Sequence, residues 1–170
     1  MSKYKQYCRS EPVAYPAFTV HPYYHKLERM PWAAASVIEM SKVDKFIWLS
    51  GATGRDPETD REPQTWDEER QGVGKVVGGI KEQTIAVWTR VREILDEVGA
   101  GLDDITFINY YLVNREDWWD MWHAQAEFFE QNCPGLLENP RAATLLKGVQ
   151  LDLPDMLIEI EVVAVTAKDN

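Results

Sequence analysis

The chain is poor in most of the features that announce a function. It has only two cysteines, Cys8 and Cys133, isolated from each other and without a CxxC or zinc-like spacing, which reads as two reduced structural thiols. It is short of positive charge: 18 Lys and Arg stand against 28 Asp and Glu, for a net charge of -10. With no basic stripe such a surface repels a phosphate backbone, so nucleic acid is not an expected partner. No apolar run approaches the roughly 20 residues that span a bilayer. Residues 1 to 30 carry charges and prolines where a signal peptide needs an apolar stretch, so no membrane association and a cytoplasmic location are expected. Histidine is scarce too. His21 and His25 are separated by Pro22 and lack a third ligand, and His123 lies in a tryptophan-rich segment that reads as surface, so no metal site is expected. The glycine-rich tract 72–79 lacks the Ser or Thr after Lys75 that a phosphate loop requires.

What is present is apolar and aromatic. With 45% hydrophobic residues, seven Trp and seven Tyr in 170 residues, the chain has material for one substantial core and too little length for two. Residues 1–30, broken by Pro12, Pro16 and Pro22, read as an irregular aromatic arm, and residues 31–170 as a single domain. Within the domain, Ala34 to Met40 and Lys45 to Gly51 are apolar runs around Ser41-Lys42-Val43-Asp44, which predicts a hairpin. Residues 52 to 75 are acidic and proline-containing, hence a long exposed loop. Ile80, Thr84, Val87, Val91, Ile94 and Val98 recur at steps of four and three, the spacing of one helical face, and Gly99 and Gly101 stop that helix. Ile105 to Val113 is strand-like. Asn114 is placed to cap a second helix, with Trp118, Met121, Trp122, Ala126 and Phe129 on its inner face and Pro134-Gly135 at its end. Strands near Ala142 to Leu151 and Met156 to Thr166 complete the order β-β-α-β-α-β-β.

That order predicts an α+β fold: one mixed sheet with both helices on one face. The other face also carries apolar residues, so burial by further copies of the chain, a homo-oligomer, is expected. The terminal strand holds the most pointed signal. Ile158, Ile160 and Val162 share one face, while Leu157, Glu159, Glu161 and Val163 share the other. Carboxylates on a strand this rich in Ile and Val need a partner or a task. The isolated Arg141 upstream supplies a fixed cationic fork suited to a carboxylate. An arginine anchor and a carboxyl proton carrier together point to chemistry on a small acid.

Several segments, in this order and spacing, carry a family pattern. They are Phe46-Ile47-Trp48-Leu49-Ser50-Gly51, Gln83-Thr84 in a helix ending Ile94-Leu95-Asp96-Glu97-Val98-Gly99, Leu102-Asp103-Asp104-Ile105, Glu127-Phe128-Phe129, Arg141, and Ile158-Glu159-Ile160-Glu161. Over residues 31 to 166 the chain resembles the RidA/YjgF (Rid) family of enamine and imine deaminases. The resemblance implies a chorismate-mutase-like (YjgF-type) fold and a homotrimer with sites in three clefts between subunits. It also implies Arg141 on the substrate carboxylate and Glu159 on the water, with Glu161 as Glu159's rival, and no metal or organic cofactor. Trp32, Gly51 and Trp122 are the further candidate substrate contacts. Trp32 stands where the family commonly has Tyr, and Trp122 and Gln125 stand where its second helix often carries Asn and Tyr. The tracts 46–55, 111–114 and 157–165 look closest to members resembling 2-aminomuconate deaminase. The expected function is thus hydrolytic deamination of a small enamine or imine carboxylic acid, 2-aminoacrylate-like or 2-aminomuconate-like, releasing ammonia and a keto acid. The alternative is a trimeric protein that binds a carboxylate metabolite without chemistry. RNA cleavage, attached to some relatives, is disfavoured by the acidic balance.

Overall fold

Ile158, Ile160, Val162 and Ala164 are all buried, whereas Glu159, Glu161 and Val163 between them are half-buried, so the last strand has the two unlike faces its alternation predicts. The computed structural model describes residues 17–20 (backbone), 33, 35–55 and 76–168. Its elements are β1 (Ala17–Val20), β2 (Ala35–Ile38), β3 (Val43–Trp48), β4 (Ala52–Thr53), α1 (Ile80–Glu97), β5 (Ile105–Leu112), α2 (Trp118–Asn132), the short α3 (Gly135–Glu138), β6 (Ala142–Lys147) and β7 (Ile158–Ala167). The main sheet runs β3-β7-β5-β6, with β4 also paired to β7. Strand β7 is antiparallel to β3, β4 and β5, and β5 is parallel to β6, with α2 in the crossover between them.

Both long helices cover the face that carries Ile158 and Ile160. Helix α1 buries Ile80, Gln83, Thr84, Val87, Trp88, Val91 and Leu95, and α2 buries Met121, Ala124, Gln125, Phe128 and Phe129. Trp88 is wholly buried at the centre, edge-on to Phe129 with ring centroids 4.6 Å apart, and its indole N–H donates to Gln125 Oε1 at 3.0 Å. The helical periodicity therefore placed the right stripe, although Val98 at its end is exposed. The opposite face of the sheet presents Phe46, Trp48 and Leu146 to solvent, Trp48 at 78% exposure. No helix among the described residues is long and apolar enough to cross a membrane.

Several local expectations need correcting. The runs predicted to form a hairpin do not pair: β2 joins β1 in a separate two-stranded antiparallel sheet, and β3 joins β7. A 3-10 turn at Met40–Lys42 separates the two runs, and pairing with β7 carries Ile47 onto the core, while β1 lies in the stretch read as irregular. Asn114 does not cap α2; Asp117 holds the cap position, and Asn114 donates its side-chain amide to the Asp117 carboxylate at 2.9 Å. The strand predicted for Ala142 to Leu151 ends at Lys147, and α3 occupies part of the expected irregular link.

Gln83 ties the helix layer to the start of β7. Its amide N donates to the Asp155 and Gly78 carbonyls at 2.9 and 3.3 Å, and its Oε1 accepts from Leu157 N–H at 2.9 Å. Gly54 lies flat against it, since a Cβ there would stand 2.6 Å from Gln83 Cβ and 2.9 Å from its Cα. Gln83→Ala strands three backbone groups and opens a small void, so a loss of about 2 to 4 kcal/mol is expected in urea unfolding.

Candidate functional site

Glu159 sits where three strands meet. It is opposite Thr53 on β4 and Tyr111 on β5. Its carboxylate lies directly over the bare backbone of Gly51, where an added Cβ would overlap Glu159 Oε1. Any larger residue at position 51 would push the acid away, so this glycine makes room for the carboxylate. Burial raises the Glu159 proton affinity above the ordinary glutamate value, and the negative charges of Glu161 and then Asp152 add to it. Asp152 is exposed and pairs with Arg55 at 3.8 Å.

Glu161, two residues along the same face, has a different environment. Its Oε2 accepts from the Tyr111 hydroxyl at 2.8 Å and from the Asn109 amide at 3.2 Å. The Tyr111 phenol is pushed up in turn, chiefly because it donates to Glu161. Asn109 and Tyr111 were not singled out from the sequence. The alternation of β5 puts them on one face, but only the β5–β7 register brings that face beside the two glutamates.

Arg141 immediately precedes β6, and its backbone carbonyl accepts from Ala33 N–H at 2.9 Å. Three backbone carbonyls orient its guanidinium: Nε donates to Ile105 at 2.6 Å, one terminal nitrogen to Asn139 at 2.6 Å and the other to Asp103 at 2.9 Å. Arg141 lines a small cleft together with Trp122, Gln125, Phe129, Tyr110, Leu136 and Leu137. Nearby, the Cys133 thiol donates to Asp103 at 3.0 Å and burial pushes its pKa up to about 12, which makes it unreactive at neutral pH.

The sequence-predicted residues thus fall into two groups within one copy of the chain. Gly51 joins Glu159, and Trp122 joins Arg141; Trp32 lies outside the described residues. Arg141 is anchored at the Ile105 end of β5 and Glu159 pairs with Tyr111 at the other end, so about 20 Å of strand separates them at roughly 3.4 Å per residue. They also lie on different sheet faces, because the Arg141 cleft is lined by the helix-side residues Ile108 and Tyr110.

Residues 28–166 match the family model described as endoribonuclease L-PSP. The chain belongs to this family, the Rid/YjgF family. A RutC family protein of Pyrococcus abyssi is 30% identical over 138 residues, covering 81% of this chain and 91% of its own length. Among solved structures, the Rid family protein YyfB from Yersinia pestis superposes with a TM-score of 0.63 at 21% identity, covering 89% of this chain and 99% of that one. TdcF from E. coli with bound serine gives 0.56 at 17% identity, over 73% and 83% of the two chains. The Rid-family fold is therefore that of this chain: a mixed α+β sheet with its helices on one face.

The raised Glu159 value has a signed consequence for stability. Folding favours its protonated form, so the contribution is complete below the ordinary value of 4.5 and is lost as pH rises through the higher folded-state value. Glu159→Gln removes this loss. Thermal melts should therefore find the variant more stable than wild type at pH 7.5, with the gap closing near pH 3.5.

Proposed function

We propose that this Rid-family protein is a cofactor-independent hydrolytic deaminase of small enamine or imine carboxylic acids. The observation that carries the reading is Glu159: a half-buried carboxylate over a glycine, with its proton affinity raised by burial and by two neighbouring anions. Such a group is suited to taking a proton from water and returning it within one catalytic cycle. The oriented Arg141 guanidinium supports the other half of the reading, since it suits the carboxylate of a small acid. A solved protein of the same fold, TdcF, has serine bound, an amino acid of the size proposed here.

In the reaction, an enamine acid gains a proton at carbon and loses one from nitrogen to give the imine. Once the imine nitrogen has taken a proton from solvent, Glu159 takes a proton from water as the oxygen bonds to the iminium carbon, forming a carbinolamine. The protonated carboxyl group then delivers its proton to nitrogen, the C–N bond breaks with release of ammonia, and the hydroxyl proton passes back to solvent through Glu159 as the C=O of the keto acid forms. Every step is an addition, an elimination or a proton transfer, so nothing is oxidised or reduced. Gly51 holds space for the acid, and Trp122 contributes an apolar wall beside the arginine.

The separation of Arg141 from Glu159 along β5 supports a homotrimer in which the Arg141 end of one copy meets the Glu159 end of the next. A head-to-tail contact of this kind closes into a ring under three-fold symmetry. The exposed Phe46, Trp48 and Leu146 supply apolar surface for such an assembly.

Ammonia release from 2-aminoacrylate and from 2-aminomuconate, each generated enzymatically in the assay, tests the reading. Wild type should accelerate at least one of them over buffer. Glu159→Gln should reduce kcat by about 100-fold or more, the scale of a lost acid–base group. Arg141→Ala should raise KM as well as lower kcat. Saturable binding of keto acids by wild type with no turnover of either substrate would favour the binding-protein alternative.

A further inference from the structure

Two carboxylates share one face of β7, and the structure treats them differently. Glu161 accepts hydrogen bonds from both Tyr111 and Asn109, while Glu159 lies over Gly51. The β5–β7 register makes this division possible. Tyr111 stands opposite Glu159, and Asn109 stands opposite Glu161. The tyrosine hydroxyl therefore crosses diagonally to reach Glu161 at 2.8 Å. A phenol and a side-chain amide donating to the same Oε2 fix the direction of that carboxylate. Held in this way, the carboxyl keeps its direction while its charge acts on Glu159.

We infer that Tyr111, Asn109 and Glu161 form a positioning triad that fixes the direction of the Glu161 carboxyl and leaves Glu159 as the one carboxyl of the pair that moves protons. This rests on the deaminase reading and deepens it by assigning the second glutamate a distinct role. Among the described residues, few groups face Glu159. Glu161 lies beside it on β7, and Tyr111 faces it from β5. Asp152 approaches from the segment before β7, with Arg55 paired to it, and Thr53 on β4 is neutral. Glu161 and Asp152 raise the Glu159 proton affinity in the same direction as burial. Tyr111 responds to Glu161 before any other group, which ties the three residues electrostatically as well as by geometry.

The test reads the carboxyl groups directly and needs no substrate, so its outcome is independent of whether the deaminase assay succeeds. Protein labelled with ¹³C at glutamate carboxyl and tyrosine ring carbons is titrated by NMR, with assignments from single variants. Glu161→Gln should shift the Glu159 midpoint downward and bring the Tyr111 phenol down with it. Glu159→Gln should leave the Tyr111 phenol raised, because its hydrogen bond to Glu161 persists. Tyr111→Phe, a substitution that keeps the ring, should replace the single-step Glu159 titration by a coupled two-step one, since the donor that turns the neighbouring carboxyl away is gone. An unmoved Glu159 midpoint in Glu161→Gln, a phenol that follows Glu159 rather than Glu161, or an unchanged single step in Tyr111→Phe would each overturn the assignment. If turnover is found, the pH profile of kcat in Glu161→Gln should move downward with the Glu159 midpoint.

Discussion

The rest of the molecule depends on the antiparallel pairing of β7 with strands on both of its sides. That pairing satisfies the backbone of the central strand and commits its side chains to two faces. Ile158, Ile160 and Val162 anchor the core beneath α1 and α2, and Glu159 and Glu161 are held on the other side. A slip of one residue would bury both carboxylates and expose the isoleucines, so the register that stabilises the fold also presents the acids. Gln83 secures the start of this strand through Leu157, and Gly54 allows the close approach of β4 to the helix that carries Gln83.

Much of this was legible in the sequence because it rests on local periodicity. The alternation of residues 157–163 gave both faces of β7 correctly, and the four-three spacing from Ile80 located α1. Pairing was less legible. The apolar runs around Ser41-Lys42 satisfy a hairpin pattern, but β3 buries Ile47 by joining β7, more than a hundred residues away in the chain. Thr84 was placed on the core stripe and Gln83 and Gln125 were named in the family comparison, but the burial of the two glutamines was not predicted. Gln83 and Gln125 are buried because each finds fixed hydrogen-bond partners, which only the tertiary structure supplies.

The candidate site was legible residue by residue and not as an arrangement. Glu159 was singled out by its position on an apolar strand, and Arg141 by its place before β6 and by the family pattern. Nothing in the sequence revealed that these two residues lie at opposite ends of β5. Nor did it reveal that Asn109 and Tyr111 engage Glu161, since that depends on inter-strand register. The geometry separates a suspected charge pair into two clusters, one with Arg141 among aromatic and aliphatic side chains, the other with Glu159 over a glycine. Under the proposed deaminase reading, the family's chemistry requires both clusters around one substrate, and assembly is then part of the catalytic mechanism.

The most direct measurement of that claim mixes two inactive variants. Arg141→Ala and Glu159→Gln chains, denatured together in equal amounts and refolded, would form rings in which an intact arginine faces an intact glutamate wherever the two kinds of chain adjoin in the right order. Random mixing into three-membered head-to-tail rings gives about a quarter of wild-type deaminase activity, far above either variant refolded alone. Activity no higher than that of the separate variants, in samples whose mixed rings are verified by mass, would contradict a site shared between copies.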